Sequence, residues 1–479
     1  MSESGRDPQA VAAALLGDPR MVEACGAHDV QAVIRLMRGR GASLRGLASV
    51  TGMSPSRIYE YEAGDRQAYG FEIFERLSDG FRIPGRYWRL ADRPWEQADI
   101  TVARPADTDL DRWVPSHTVE AVSLFTRRDL MLDRREATKA IATLAVGMPL
   151  IECVERWLTP EDETPARSPL GSIGTEEIER IEQAAQLFRE WDDHFGGGLR
   201  RKAVVGQLNE VADLLRDTHQ QEIIRRLFRV MAHLAETAAM MSWDSGIHAT
   251  AQRYYILALR ASKEAKEYAF GANILASMAR QLLYMGRPDD ALELIRLAED
   301  GASKGHASGA VWSMLHTREA WAYANLGRVQ AFKRATGKAE DALASADRSE
   351  DPYWIRYFDE AELAGTTGGR LLDLAQKNPD NLAHARDAET LIDKALNLRR
   401  AESMRSFSLD QAGLAQTYFM QRDLEQAISA GHRAIDLAEQ TQSDRVRVQL
   451  QELYQLAVPH RRKPDVRDFT ERLASALSA

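Results

Sequence analysis

The sequence predicts an all-α chain in which a small N-terminal helix-turn-helix unit is followed by a helical linker and a long C-terminal solenoid of paired helices. Three observations carry this. Beyond Gly174 no window alternates apolar and polar residues, whereas apolar residues recur at helical spacing almost without break. In the same region small residues recur at intervals that fit stacked helical hairpins. Near the N-terminus, two short helices with explicit start and stop signals are separated only by a tight, glycine-containing turn.

Composition excludes several classes. A chain of 479 residues is long enough for about three domains, and 44% apolar with 28% charged residues is ordinary for a globular protein. The 62 Lys and Arg against 71 Asp and Glu leave a net charge of -9, which argues against a wholesale nucleic-acid coat. Cys25 and Cys153 cannot build a disulfide framework, and no Cys/His spacing reads as a zinc site; a reducing cytoplasm is expected, with no metal and no cofactor. The longest apolar run, Ala140 to Ile151, has 12 residues, short of the roughly 20 that span a bilayer, so no membrane partner is expected. The TRRDLML stretch from Thr126 has the look of a twin-arginine export signal, but such signals are read at the extreme N-terminus. A connecting helix that buries Leu130, Ala137, Ile141, Leu144 and Ala145 is expected there instead.

Residues 1–28 read as a weakly patterned arm, and 29–92 as a compact helical unit. Val30, Val33, Ile34 and Met37 form one apolar stripe of a first helix that ends at Gly39-Arg40-Gly41. Ser43 is placed to cap a second helix that turns Leu44, Leu47 and Ala48 inward and stops at Gly52. Ser54 caps a third, with Pro55 at its first position, where the missing N–H costs nothing. Ile58 and Tyr61 face the core, which leaves Pro55, Ser56, Arg57 and Glu60 outside. Between Asp29 and Leu90 ten arginines and no lysine stand against seven acidic residues, a local +3 that leaves -12 for the rest. A second helix of this kind enters a DNA major groove N-terminus first.

This segment resembles the Cro/repressor-like (xenobiotic-response-element type) helix-turn-helix family, through SLRGLASVTGMSPSRIYEYEAGDR between Ser43 and Arg66. The resemblance implies that Ser43, Leu44 and Arg45 lie against phosphates and that Pro55, Ser56, Arg57 and Glu60 look at bases. Ser54 at the start of the third helix and Arg66 at the end of the motif complete the implied DNA-binding set. Met37 stands where family members often have an arginine paired with the acid at Glu62.

Residues 93–175 read as a linker: PADTDLDRW early, a helix from Thr126 to Leu158, and the Pro/Gly/Ser stretch TPEDETPARSPLGSIG at the end. Residues 176–226 read as a helical lead-in, and 227–479 as the solenoid with C-terminal capping helices. Ala239, Ala279, Ala320 and Ala415 are each followed 19 residues later by Ala258, Ala298, Ala339 and Ala434; Gly368 reaches Ala395 after 27, the excess falling in a loop insertion between Leu374 and Ala383. Ala251, Ala291, Ala388 and Ala427 lie midway, with Phe332 the exception, and Tyr255, Ile295 and Ile392 fill the next layer. The Thr366-Thr367-Gly368-Gly369 run makes the fourth repeat the expected place to bend.

These positions, with turns such as MGRPDDA and LGRVQAF, resemble the tetratricopeptide repeat, five copies covering about Leu227 to Glu439. The preceding FREWDDHFGGGLRRKAVVGQLNEVADLL is similar to the segment that precedes such repeats in actinomycete-type regulators; its Gly196 to Gly198 turn is no phosphate loop. The family geometry implies a ligand-facing set of Asn273, Arg280, Tyr284, Thr317, Trp321, Asn325, Gln416 and Phe419, in which Asn holds a peptide backbone and Arg meets a carboxylate.

No catalytic constellation is found among the eleven histidines and the scattered acidic pairs, so no enzyme is expected. The expectation is a DNA-binding transcriptional regulator, a homodimer on double-stranded DNA, whose repeats sense a ligand, with a short peptide as the leading effector. The alternative is a protein-interaction adaptor that uses the solenoid for a partner protein and the helix-turn-helix for docking.

Overall fold

The computed structural model describes residues 7–16, 18–66, 71–88, 90, 113–131, 145–159, 173–195, 201–217, 219–378, 382–400, 403–441 and 443–478. Their secondary structure is helical, with no β-strand among the described residues, and none of their helices is long and apolar enough to cross a membrane. The chain divides into two compact units, Met1–Thr101 and Val102–Leu477.

The first unit contains α1 (Pro8–Leu15), α2 (Pro19–Gly26), α3 (Val30–Gly39), α4 (Leu44–Thr51), α5 (Pro55–Ala63) and α6 (Phe71–Phe81), closed by a 3-10 turn at Gly85–Trp88. Its core gathers Val33, Ile34, Met37, Leu47, Ile58, Tyr61, Leu77 and Trp88. Residues 1–28 are more than an arm: Val11, Ala12, Leu15, Met21 and Cys25 belong to the same core. Both helices there start alike, with Asp7 and Asp18 accepting from the backbone N–H two residues on and a proline at the first helical position. Burial pushes the Cys25 thiol up to about 12.

The second unit begins with α7 (Pro115–Met131), α8 (Met148–Glu155), α9 (Thr175–Phe195) and α10 (Arg201–Leu214). The Thr126 to Leu158 stretch is not one helix. Helix α7 starts earlier, at Pro115, and Ala145, Val146 and Gly147 are non-helical before α8. Ala145 is buried and Leu130 half-buried, while Ala137, Ile141 and Leu144 lie outside the described residues. So do most of PADTDLDRW and of TPEDETPARSPLGSIG, and the Gly196 to Gly198 turn.

The described parts of this region are embedded in the unit. Asp129 on α7 accepts from Arg201 Nη2 (3.0 Å) and from Tyr254 Oη (2.6 Å), all three buried. The Ala145 N–H donates to Gln252 Oε1 (2.8 Å), and the Gln252 side chain donates back to the Ala145 carbonyl (2.7 Å). Trp157 is buried against Gly271 and Gly301, where any Cβ would stand about 2 Å from its ring.

Five helix pairs follow: α11 (Gln221–Asp244) with α12 (His248–Glu264), α13 (Tyr268–Tyr284) with α14 (Pro288–Lys304), α15 (Gly309–Asn325) with α16 (Val329–Ala344), α17 (Glu360–Lys377) with α18 (Ala383–Leu398), and α19 (Met404–Gln421) with α20 (Leu424–Ala438). Helices α21 (Asp444–Ala457) and α22 (Pro464–Ser478) complete the unit. The recurrent small residues sit at the close approaches: Ala239, Ala258, Ala279, Ala298, Ala339, Ala415 and Ala434 are fully buried.

The turns repeat too. Gly246, Lys266, Gly286, His306 and Gly327 have left-handed φ values between +48° and +73°, one every 20 or 21 residues. The next N–H donates back into the finished helix, Arg287 to Leu282 O and Ile247 to Ser242 O at 2.9 Å, which satisfies carbonyls the helix end would leave bare.

The fourth pair contradicts the expected bend. Thr366 to Gly369 lies inside α17, and a Cβ at Gly368 would stand 2.7 Å from Ile392 Cγ1, so Gly368 serves a tight helix contact. The larger irregularity is earlier, in residues 345–359 between α16 and α17, which include a 3-10 turn at Tyr353–Ile355.

The array curls until its ends meet. Asp244, fully buried at the end of α11, accepts from Arg405 Nη1 (2.7 Å) on α19 and from Arg445 Nε (2.7 Å) and Nη2 (3.0 Å) on α21, 161 and 201 residues away.

Candidate functional site

In the first unit, Ser43 accepts from the Gly46 N–H (3.0 Å) and Ser54 from the Arg57 N–H (3.2 Å), so each hydroxyl caps its own helix. Gly52, at φ +64°, ends α4, and only Met53 and Ser54 separate it from Pro55. Arg45, Ser54, Pro55 and Ser56 are exposed. Arg57 is half-buried, and its Nε is enclosed without a hydrogen-bond partner. Glu60 is held by Arg66 Nη1 at 2.9 Å, so these two largely cancel. The acid at Glu62 is paired from Arg38 Nε (3.3 Å), one position beyond the buried Met37, while Arg35 donates to the Glu62 carbonyl (3.0 Å). The exposed face of α5 also carries Tyr59, 57% exposed in the middle of the helix.

In the second unit, a cavity of about 610 Å³ is lined by residues from the first helix of all five pairs, joined by α9, the 345–359 connector, α18 and the segment that follows it, and α21. Nine of its lining residues are arginines, against the carboxylates of Glu190, Asp359, Glu362 and Asp410. Several arginines are matched. Arg189 pairs with the buried Glu236, and Arg399 bridges Glu362 (2.9 Å) and Asp410. Arg370 reaches Asp373 (3.2 Å), and Arg405 and Arg445 share Asp244.

Arg280 and Arg318 are different. Neither makes a hydrogen bond or ion pair with any described residue; Arg318 is 2% exposed, and Arg280 Nε is enclosed. Burial, with Arg445 and Arg318 nearby, pulls the Arg280 guanidinium down to about 10. Burial pushes Glu362 up, but Arg399, Arg318 and Arg280 outweigh it and hold the carboxyl below its usual range. Asp410 goes the other way, raised to about 6, because burial outweighs Arg399 there.

Tyr284 and Trp321 lie in this basic wall, and Trp243 packs on Tyr284 without lining the cavity. Trp243, Tyr284 and Trp321, on α11, α13 and α15, pack edge to face at 5.4 and 4.8 Å. Arg280 lies over Trp243 at 5.0 Å and Arg370 over Trp321 at 3.8 Å.

Of the ligand-facing set expected from sequence, Arg280, Tyr284 and Trp321 line the cavity. The other five do not. Asn273 is buried with its Nδ2 unpartnered, and Thr317 is buried and donates to Ser313 O (2.8 Å). Asn325 donates to Leu283 O (3.2 Å) and Gln416 to Gln449 O (3.1 Å), both spent on packing between helices. Phe419 is core, stacked near Phe469 and His460. Trp243, Arg318, Arg370, Arg399, Arg405 and Arg445 were not found from sequence. The connector that brings Tyr353, Arg356 and Tyr357 to the cavity does have a signal, the 48-residue step from Ala320 to Gly368 after steps of 40 and 41.

One further cluster has the donor types of a metal site. Glu299 on α14 and His316 and Glu319 on α15 bring their ligand atoms within 4.8 Å of one another. Burial pulls the imidazole of His316 down, but the two carboxylates, 3.5 and 3.6 Å from Nδ1, push it up to about 9. At neutral pH His316 is therefore charged and faces both acids at ion-pair distance.

No protein-family model matches the chain, and no curated protein matches it either.

Proposed function

We propose that the chain is a DNA-binding transcriptional regulator whose helical-hairpin unit dimerises and senses a small ligand, in the layout of Cro/repressor-like regulators with tetratricopeptide repeats. The observation that carries this reading is α5: capped by Ser54, started by Pro55, with Ser56 exposed and an Arg57 guanidinium engaged by no carboxylate among the described residues. With Pro55 lacking an N–H and the Arg57 N–H taken by Ser54, the first turn presents the Ser56 N–H and hydroxyl beside a cation, which suits a phosphate and a guanine edge. Arg45, exposed in the first turn of α4, suits a phosphate. A unit this small buries too little DNA to hold a site alone, so two copies on half-sites about 34 Å apart are expected.

The test is a gel-shift with genomic fragments across salt concentrations. Arg57→Ala should cost about 1–3 kcal/mol on the specific site and relax preference at one base pair; Arg45→Ala should weaken all sequences alike and reduce the salt slope by about one. Equal loss on specific and random DNA for Arg57→Ala rejects the base-reading role. No binding to any fragment favours the adaptor, for which the exposed Tyr59 ring is the feature that points to a protein surface.

A further inference from the structure

From the arginine-lined cavity we infer a site for a small molecule that carries a chain of two or more phosphoryl groups. This deepens the ligand-sensing half of the regulator reading and rests on it only for its regulatory consequence; binding itself is measured without DNA.

Four features converge on that ligand class. First, the cavity holds two guanidiniums, Arg280 and Arg318, with no hydrogen bond or ion pair to any described residue, and Arg318 is almost wholly buried. Glu362 feels both only through space, and a buried guanidinium with no anion in hydrogen-bond contact is costly, the more so for a pair acting on each other. A fixed anion between them removes both costs.

Second, the lining is rich in positive charge, with nine arginines against the carboxylates of Glu190, Asp359, Glu362 and Asp410. One carboxylate ligand would meet only part of the excess. A di- or triphosphate carries several charges over a few ångströms and takes bidentate guanidinium contacts at each phosphoryl group.

Third, the amides expected to hold a peptide backbone are not in the cavity wall: Asn273, Asn325 and Gln416 do not line it, and the latter two are bonded to neighbouring helices, while Gln186, which does line it, donates to Glu190 (2.9 Å). Fourth, a cavity of about 610 Å³ is of a size for a small organic phosphate rather than a folded partner. Tyr284 and Trp321 at its wall offer ring surface beside the cations, so a nucleotide and a ring-free polyphosphate share the phosphate chemistry and differ in what the aromatics add.

Position gives the site a consequence. Its arginines come from α9, α13, α15, α17, α19 and α21 and from the segments before α17 and after α18, so an anion bound among them holds together elements from both ends of the curled array. A ligand of that kind stabilises one curvature of the hairpins, and it acts on DNA binding only to the extent that the two states differ in affinity for it.

The experiment titrates the full-length protein with sodium tripolyphosphate, ATP, GTP, adenosine and a tetraglutamate peptide, at matched ionic strength, by calorimetry and thermal melting. Tripolyphosphate, or a nucleoside triphosphate, should bind one per chain and raise the melting temperature, and adenosine should not. Arg280→Gln and Arg318→Gln should each weaken that binding at least tenfold while melting, unliganded, no lower than the unsubstituted protein, because each removes an unmatched buried cation. Arg296→Gln, on the outer face of α14, should bind as before.

If either glutamine variant fails to fold, Arg318→Lys keeps the charge, loses the fork, and should still weaken binding. ATP or GTP binding above tripolyphosphate identifies a nucleotide; equal binding identifies the phosphate chain alone. Binding that is indifferent to Arg280 and Arg318, or tetraglutamate bound in preference to every phosphate, overturns the assignment. If the phosphate probe binds as expected yet leaves the gel-shift unchanged, the site stands and the sensor reading fails.

Discussion

Asp244 allows the closure of the hairpin array to be tested with a single atom change. Its carboxylate takes three charge-assisted hydrogen bonds, two at Oδ2 from Arg405 and Arg445 and one at Oδ1 from Arg445. Burial pushes its pKa up, but Arg445 and Arg405 outweigh this and hold it below the usual carboxylate range, so it is ionised at neutral pH. In Asp244→Asn the amide oxygen keeps the two Oδ2 partners, and the amide N–H then meets the Arg445 Nε–H, donor against donor. One charge-assisted bond worth about 1.5–3 kcal/mol is lost, and two buried guanidiniums lose their counter-charge. The expected loss is about 3 kcal/mol in urea unfolding of the full chain, followed by far-UV circular dichroism. Asp244→Leu combined with Arg405→Met and Arg445→Met should recover much of it, because removing all the charges removes the desolvation penalty. A loss below about 1 kcal/mol for Asp244→Asn refutes the idea that this carboxylate ties the two ends together.

Leu15→Ala should cost the first unit about 3 kcal/mol in chemical denaturation, since Leu15 is buried in the core shared with α3 and α6; a cost under 1 kcal/mol would return residues 1–28 to the status of an arm. Gly271→Ala should destabilise by about 1–3 kcal/mol through the Trp157 ring, and Trp157→Ala by about 3–5 kcal/mol. Made together they should cost clearly less than their sum, which a double-mutant cycle reads directly. The raised pKa of His316 gives a stabilising contribution that is complete below about pH 6.5 and is lost as pH rises through about 9. His316→Gln should flatten that limb of the pH–stability curve; a limb unchanged by the substitution rejects the ion-pair assignment.

What could be read from the chain depended on how local its cause was. The caps at Ser43 and Ser54, the proline at Pro55 and the stop at Gly52 act within a few residues, so the two helices around them follow from sequence. The same Asp-Pro start occurs twice in residues 1–28, at Asp7-Pro8 and Asp18-Pro19, but helices of eight residues carry too few apolar positions for periodicity to expose them. The alanine register of the hairpins was legible because the repeat averages over many copies. The cavity was not. Arg280 was reached through its place in a repeat, whereas Arg370, Arg405 and Arg445 meet it only because the array curls, and curvature accumulates from small rotations that no single stretch encodes. Gly368 was misread for a related reason: a glycine that permits bending and one that admits a neighbouring helix look alike until Ile392 is placed against it.

The meeting of α11 with α19 and α21 also sets an order of assembly. In an open stack, each hairpin gains its contacts from the one made just before it, so structure can grow as the chain leaves the ribosome. Here the Asp244 carboxylate lacks the guanidiniums that hydrogen-bond it until Arg405 and then Arg445 have been synthesised, 161 and 201 residues later. Until then the first pair's end exposes an acid built for the interior, and water must serve in place of its partners. The final joining therefore carries the entropy of a loop some 200 residues long, a cost that grows only with the logarithm of its length but falls on one late step. A chain cut anywhere before Arg405 retains hairpins without the joint, and its unfolding should broaden from one cooperative transition into several.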